Sequence, residues 1–264
     1  MGVIGVAVVA LAVAFLGPYV YIHFIDGPAP SKLVLPKSPT TTSSSAAGSA
    51  TSSTSSLDGT WNVGAGSVAG YRVQEVLIGQ SATAVGRTSK IWGSLTIAGA
   101  TVTKGTFTVD MASVVSDQSQ RNARFEGPIM DVSQYPTASL TLTSPVNLGT
   151  VPASGVVAQY SAAGELDMHG VTKAVTFPVS AERVGNEIDV LADLSIPFSE
   201  WDIANPSIGG FVTTANSGTL EVLLHLTKGA GNPASTSGAT GTAGGGGPVT
   251  VPSTTVPPLT VPSG

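Results

Sequence analysis

Arg121 and Arg124 stand three residues apart in "RNARFEGPIMDVSQYP" (residues 121–136), in a chain of which only 10% is charged. Two guanidiniums at that spacing suit an anionic or polar head group, and they suit equally a loop fixed by pairing Arg121 with Asp117 or Asp131. Asp167 and His169 raise hydrolysis, but a nucleophile, base and orienter must converge in space and no such trio is legible. Glu200 and Asp202 flank Trp201 in "FSEWDI", paired acids beside an aromatic as in sugar-cleaving sites. On a strand those two acids share one side and face solvent, which makes them surface carboxylates. His23 lies in an apolar N-terminal run, so His23, His169 and His225 do not form one metal site. Cysteine is absent, which removes disulfides, thiolate metal sites and a cysteine nucleophile. The expectation is a protein that is not an enzyme, with no catalytic residues, cofactor or metal.

The elements that position these residues are strands. Apolar and polar residues alternate in "GTFTVDMASV", where Phe107, Val109 and Met111 face one way and Thr106, Thr108 and Asp110 the other. The pattern recurs in "TASLTLTSPV", "KAVTFPVSAERV", "IDVLADLSIPFSEW" and "TLEVLLHLTK", and less cleanly in "GYRVQEVLI" and "KIWGSLTIAG", for about seven or eight strands. In the last strand Leu220, Val222, Leu224 and Leu226 form a dry face, with Glu221, His225 and Thr227 on the polar one. Residues 117–135 break the rhythm and are punctuated by Gly127-Pro128, so a short helix and loop are expected there. Such a chain is a sandwich or a closed barrel, since both deal with exposed strand edges.

The ends differ from the middle. Residues 3–25 contain no Asp, Glu, Lys or Arg and are long enough to span a bilayer as a helix. The apolar run continues through Tyr19, Val20, Tyr21 and Ile22, so an uncleaved anchor is preferred to a signal peptide. The domain expectation is an anchor or signal segment over 1–26, a Ser/Thr/Pro-rich linker over 27–57, a barrel over 58–228 and a disordered tail over 229–264. Lys32 and Lys37 follow the apolar segment and no basic residue precedes it, which alone argues for a cytoplasmic barrel. The Ser/Thr/Pro-rich flanks argue for the other side, and the expected location is a single-pass membrane protein with an extracytoplasmic barrel, secreted if the segment is cleaved. Residues 58–228 hold nine Lys or Arg against fifteen Asp or Glu, so nucleic acid is not an expected partner.

An ordered series of motifs in the middle region resembles the YceI-like family. The series begins with "GTWNVGAGSVAGYRV" (Trp61, Ser67, Tyr71) and "VGRTSKIWGSLTI" (Gly86, Trp92, Gly93). It continues with the run from Gly105 to Ser144, which carries an Ala-Ser pair, a loop arginine at Arg121 and the Tyr135-Pro136 pair, and with "GELDMHGVTKAVTFPVS" (Gly164, Leu166, Gly170, Val171, Thr172, Lys173). The resemblance implies an all-β, eight-stranded antiparallel lipocalin-like β-barrel with one short helical excursion, here preceded by a single transmembrane helix, that binds a polyisoprenoid or quinone-like lipid. Asn122 and Arg124 depart from the family, which often places Asp and His there. By periodicity alone the inward set of Phe107, Val109, Met111, Leu140, Leu142, Val175, Phe177, Val179, Leu194, Ile196, Leu220, Val222 and Leu224 reads as packed core, and the resemblance turns it into a tunnel wall. The expected ligand-contacting residues are Tyr71, Trp92, Phe107, Val109, Met111, Phe125, Met130, Leu140, Leu142, Phe177, Leu194, Phe198 and Val222. The competing expectation is a structural or adhesive envelope module with a filled barrel.

Overall fold

The computed structural model describes residues 29–36 and 57–229. The expected membrane segment and tail, and much of the expected linker, lie outside the described residues. Among the described residues no helix is long and apolar enough to cross a membrane. The strands are β1 (Gly59–Val63), β2 (Val68–Leu77), β3 (Gln80–Thr88), β4 (Ile91–Ala98), β5 (Thr101–Asp110) and β6 (Val115–Ser116), followed by β7 (Thr137–Leu142), β8 (Val146–Asn147), β9 (Ala158–Met168), β10 (Val171–Val184), β11 (Glu187–Pro197) and β12 (Val212–Lys228).

Every strand pairs antiparallel, and the sheet closes on itself. β12 pairs with β11 on one side and, on the other, with β2 over Val212–Leu223 and then β1 over Leu226–Lys228. β3 and β4 continue along the next track, beside β2 and β1, and β6 prolongs β5 to pair with β3. With β7, β9, β10 and β11 these tracks form an eight-stranded barrel, while the short β8 pairs with β5. Closure leaves no long free edge of the kind that templates strand pairing.

Two strands escape periodicity. β3 ("QSATAVGRT") is built largely of Ala, Ser, Thr and Gly, and β9 ("AQYSAAGELDM") places Ala162 and Gly164 at inward positions between Tyr160 and Leu166, so large apolar residues do not mark the alternation throughout. Tight two-residue turns join β2 to β3 at Ile78-Gly79, with φ of 48° and 79°, and β9 to β10 at His169-Gly170, with φ of 55° and 75°. Two successive positive φ values match the right-handed twist of the flanking strands. The expected excursion is α1 (Ser119–Arg124), running into a wider π-helical turn over Phe125–Ile129. Pro128 lacks an N–H and so prevents a regular α-helix from continuing.

The buried side chains form two clusters, one at each end of the barrel. Trp61, Val63, Ile97, Leu224 and Leu226 anchor the end that carries the β4–β5 and β10–β11 turns. Met111, Phe125, Met130, Met168, Phe198 and Trp201 anchor the end near α1.

The outer wall corrects one expectation. Glu221, expected on a wet face, is 1% exposed and sits between two arginines, with Arg72 Nε at 2.6 Å from one carboxylate oxygen and Arg87 Nη2 at 3.1 Å from the other. Arg72 also donates to the Pro30 carbonyl at 2.7 Å, and Arg87 to that of Ser31, so residues 29–36 lie over this part of the wall. Alternation in β12 showed that Glu221 points away from the interior, but not that another segment covers it.

Candidate functional site

The interior is not filled. Between the two clusters runs a cavity of about 530 Å³. Phe107, Val109, Leu140, Leu142, Leu194 and Val222 point inward from neighbouring strands and are only half-buried, because their inner surfaces border empty space. In a filled barrel the same side chains would be buried against one another.

The cavity wall includes most of the residues expected to meet a ligand. Tyr71, Phe107, Val109, Met111, Phe125, Met130, Leu140, Leu142, Phe177, Leu194, Phe198 and Val222 all line it. Trp92 does not. Ile91, Leu95 and Ile97 of β4 face the cavity, and the two-residue period of a strand sends Trp92 to the outer face. Val175 packs against the cluster near α1 instead. The sequence reading also missed Ala84, Ala162, Ala192 and Gly218, which line the wall and make the room by being small. The available signal was small residues at inward positions of strands whose neighbours carry large ones.

Polar groups line both ends of the cavity, Tyr160, Glu182 and Arg183 toward the β10–β11 turn and a denser set near α1. Tyr71, on β2, stacks on Phe125 with ring centroids 5.1 Å apart, and its neighbour across the β2–β3 pair is Gly86. A Cβ at Gly86 would collide with the tyrosine ring, so glycine there lets the ring lie flat over the strand. Burial above all, opposed by the Arg121 guanidinium and helped by the Glu75 and Asp117 carboxylates, pushes the Tyr71 hydroxyl up to about 12. Arg121 pairs with Asp117, as one of its two expected partners, and with Glu75 at 3.4 Å; Asp131 instead accepts from Ser133 Oγ at 2.7 Å. Arg124 donates to the Pro206 carbonyl at 3.4 Å, and both arginines border the cavity. Asn122 turns the other way, accepting from the Ser116 N–H at 2.7 Å and the Ser116 hydroxyl at 2.8 Å. Its departure from the family pattern therefore serves the loop. The arrangement is an apolar tunnel with a phenol, two arginines and Gln118 and Gln120 at one end.

The sites considered for catalysis are dispersed. His169 occupies the β9–β10 turn, with Nδ1 2.9 Å from the Trp201 carbonyl and its ring edge-on to Tyr135. His225 pairs with Asp189 at 2.6 Å. Glu200 and Trp201 lie in a 3-10 turn over Phe198–Trp201, and Asp202 follows at φ 52°, so the expected strand does not extend through them. Trp201 is buried, Glu200 reaches Lys173 at 3.7 Å, and the Lys173 ammonium sits 5.6 Å from the Trp201 ring centre. This is a packed corner of the barrel.

A family model described as the YceI-like domain matches residues 51–226. Among solved structures, the chain is similar to a polyisoprenoid binding domain from Saccharophagus degradans implicated in plant cell wall breakdown, at 16% identity and a TM-score of 0.51, over 64% of this chain and 98% of that one. It is also similar to BcnA of Burkholderia cenocepacia, at 19% identity and a TM-score of 0.46, over 59% and 95% of the two chains. A third similarity is to the YCEI protein of Campylobacter jejuni, at 15% identity and a TM-score of 0.41, over 53% and 83%. No curated protein matches the chain. A match that takes in the barrel from before β1 to within two residues of the end of β12 shows that the chain belongs to the YceI-like domain family.

Proposed function

We propose that this protein binds, and so carries or sequesters, a long isoprenoid lipid of the polyprenyl or quinone-like kind at the cell envelope, without catalysis. The observation that carries the reading is the half-buried state of the inward apolar side chains around a cavity of about 530 Å³. That volume falls within the ~300–1,000 Å³ typical of small-molecule sites. At about 0.8 kcal/mol per CH₂-sized group, each five-carbon isoprene unit taken from water into the tunnel contributes about 4 kcal/mol, so the tail supplies affinity with no specific chemistry. Tyr71, neutral at physiological pH, and the Arg121 and Arg124 guanidiniums would then meet the polar head. The name of the Saccharophagus degradans domain supports this reading. Attachment through residues 1–26 with the barrel outside the cytoplasm belongs to the same proposal.

The second reading, an adhesive or structural module, predicts a filled interior. Native mass spectrometry of the full chain, purified from a host that makes polyprenyl lipids, separates the two. A bound species of lipid mass supports carriage, and empty protein that takes up no added lipid refutes it.

A further inference from the structure

Two loops at the α1 end carry apolar side chains into solvent. Phe211 is 65% exposed, Ile78 55% and Ile208 40%. The loops are joined, because the Ile78 N–H donates to the Phe211 carbonyl at 2.9 Å, and the second loop is closed on itself by the Ile208 N–H donating to the Val212 carbonyl at 2.9 Å. Neither loop carries charge: residues 76–86 and 203–220 contain no Asp, Glu, Lys or Arg. Ile78 also sits at φ 48°, a left-handed conformation that a β-branched residue disfavours and that Asn or Gly would take without strain. Stability and solubility therefore do not account for an isoleucine here.

The lip is continuous with the tunnel. Leu77, Ile208 and Val212 belong both to these loops and to the cavity wall. We propose that Ile78, Ile208 and Phe211 form a membrane-entering lip, which dips into the surface of a lipid bilayer and lets the cargo pass between bilayer and barrel along an unbroken apolar path. The occupant is a bilayer rather than a protein, because a tail held in the tunnel has no soluble route out, and because charge-free loops are suited to the headgroup boundary. The inference rests on the lipid-binding reading, and its test is separable from it.

The full chain has no cysteine, so single labels are specific. Phe211→Cys and, at the opposite end of the barrel, Val184→Cys are each labelled with a polarity-sensitive fluorophore and the protein is reconstituted in phosphatidylcholine vesicles. The Phe211 label should be blue-shifted, quenched by spin-labelled lipid and about fivefold less open to iodide than the Val184 label. Equal iodide access at the two positions overturns the lip, and so does a label shielded from iodide but not quenched from within the bilayer, which is the signature of a protein partner. No cargo enters this measurement, so a protein that never loads lipid refutes the carriage reading and leaves the lip decided by label depth. The double variant Ile78→Asp with Phe211→Asp should reach the same final occupancy but take a fluorescent polyprenyl lipid from donor vesicles, and deliver it to acceptor vesicles, about tenfold more slowly. Unchanged rates of uptake and delivery contradict the proposal.

Discussion

Tyr71 joins the apolar tunnel to its polar end, and its burial makes a measurable demand on pH. The phenol is neutral in the fold up to about 12, whereas in the unfolded chain it ionises near 10.0. A raised folded-state value means that the stabilisation is complete below pH 10 and is lost as pH climbs from there through about 12. Denaturation followed across that window should show a decline that is shallower in Tyr71→Phe. Glu221 makes its contribution by geometry, its carboxyl group enclosed by the guanidinium groups of Arg72 and Arg87 on the outer wall. Replacing it with Gln leaves Arg72 and Arg87 without their shared carboxylate and is expected to cost about 3 kcal/mol, read as a lowered Tm. If Glu221→Gln melts like the parent, the triad contributes little to stability. Nothing in the sequence marked Glu221 as buried, because the covering residues 29–36 lie far from it in the chain.

At the scale of elements, legibility followed side-chain size. β5, β7, β10, β11 and β12 alternate large apolar with polar residues, and each lies within the stretch the pattern marked, although the expected strands end early at β5, where Met111–Ser113 form a 3-10 turn, and at β11. β3 and β9 do so only in part, because they use Gly where a ring or main chain from the neighbouring strand comes close, as Gly86 does beneath Tyr71 and Gly164 beside Thr141, and Ala where the wall borders the cavity. Trp92 went astray for a related reason: its motif identified β4 but not the phase of β4, and one residue of phase exchanges inside for outside. Phe198–Trp201 departs from a strand because the chain turns a corner there, a choice made by packing of Trp201 rather than by local pattern. The β2–β3 turn gives a prediction at this scale. Ile78→Asn supplies the residue that a turn with two positive φ values prefers, and should raise stability by about 0.5–1 kcal/mol while weakening the bilayer contact of the lip. Lower stability in Ile78→Asn would show that the isoleucine is held by packing.

The barrel is a wall surrounding space, and that distinction was beyond periodicity, since a core and a tunnel present the same alternation. Only the sizes of residues meeting from several strands decide it. Val222, half-buried and facing the cavity, offers a direct probe. Enlarging it to Trp in a filled barrel costs about 1–3 kcal/mol through overpacking. In a tunnel, Val222→Trp occupies free space, so thermal stability should be retained and lipid occupancy lost. The most direct test of the account is therefore native mass spectrometry of the full chain and of Val222→Trp, both purified from a host that makes polyprenyl lipids. The account predicts a bound species of isoprenoid mass on the parent and none on an equally folded Val222→Trp; an empty parent that takes up no added polyprenyl or quinone-like lipid would contradict it.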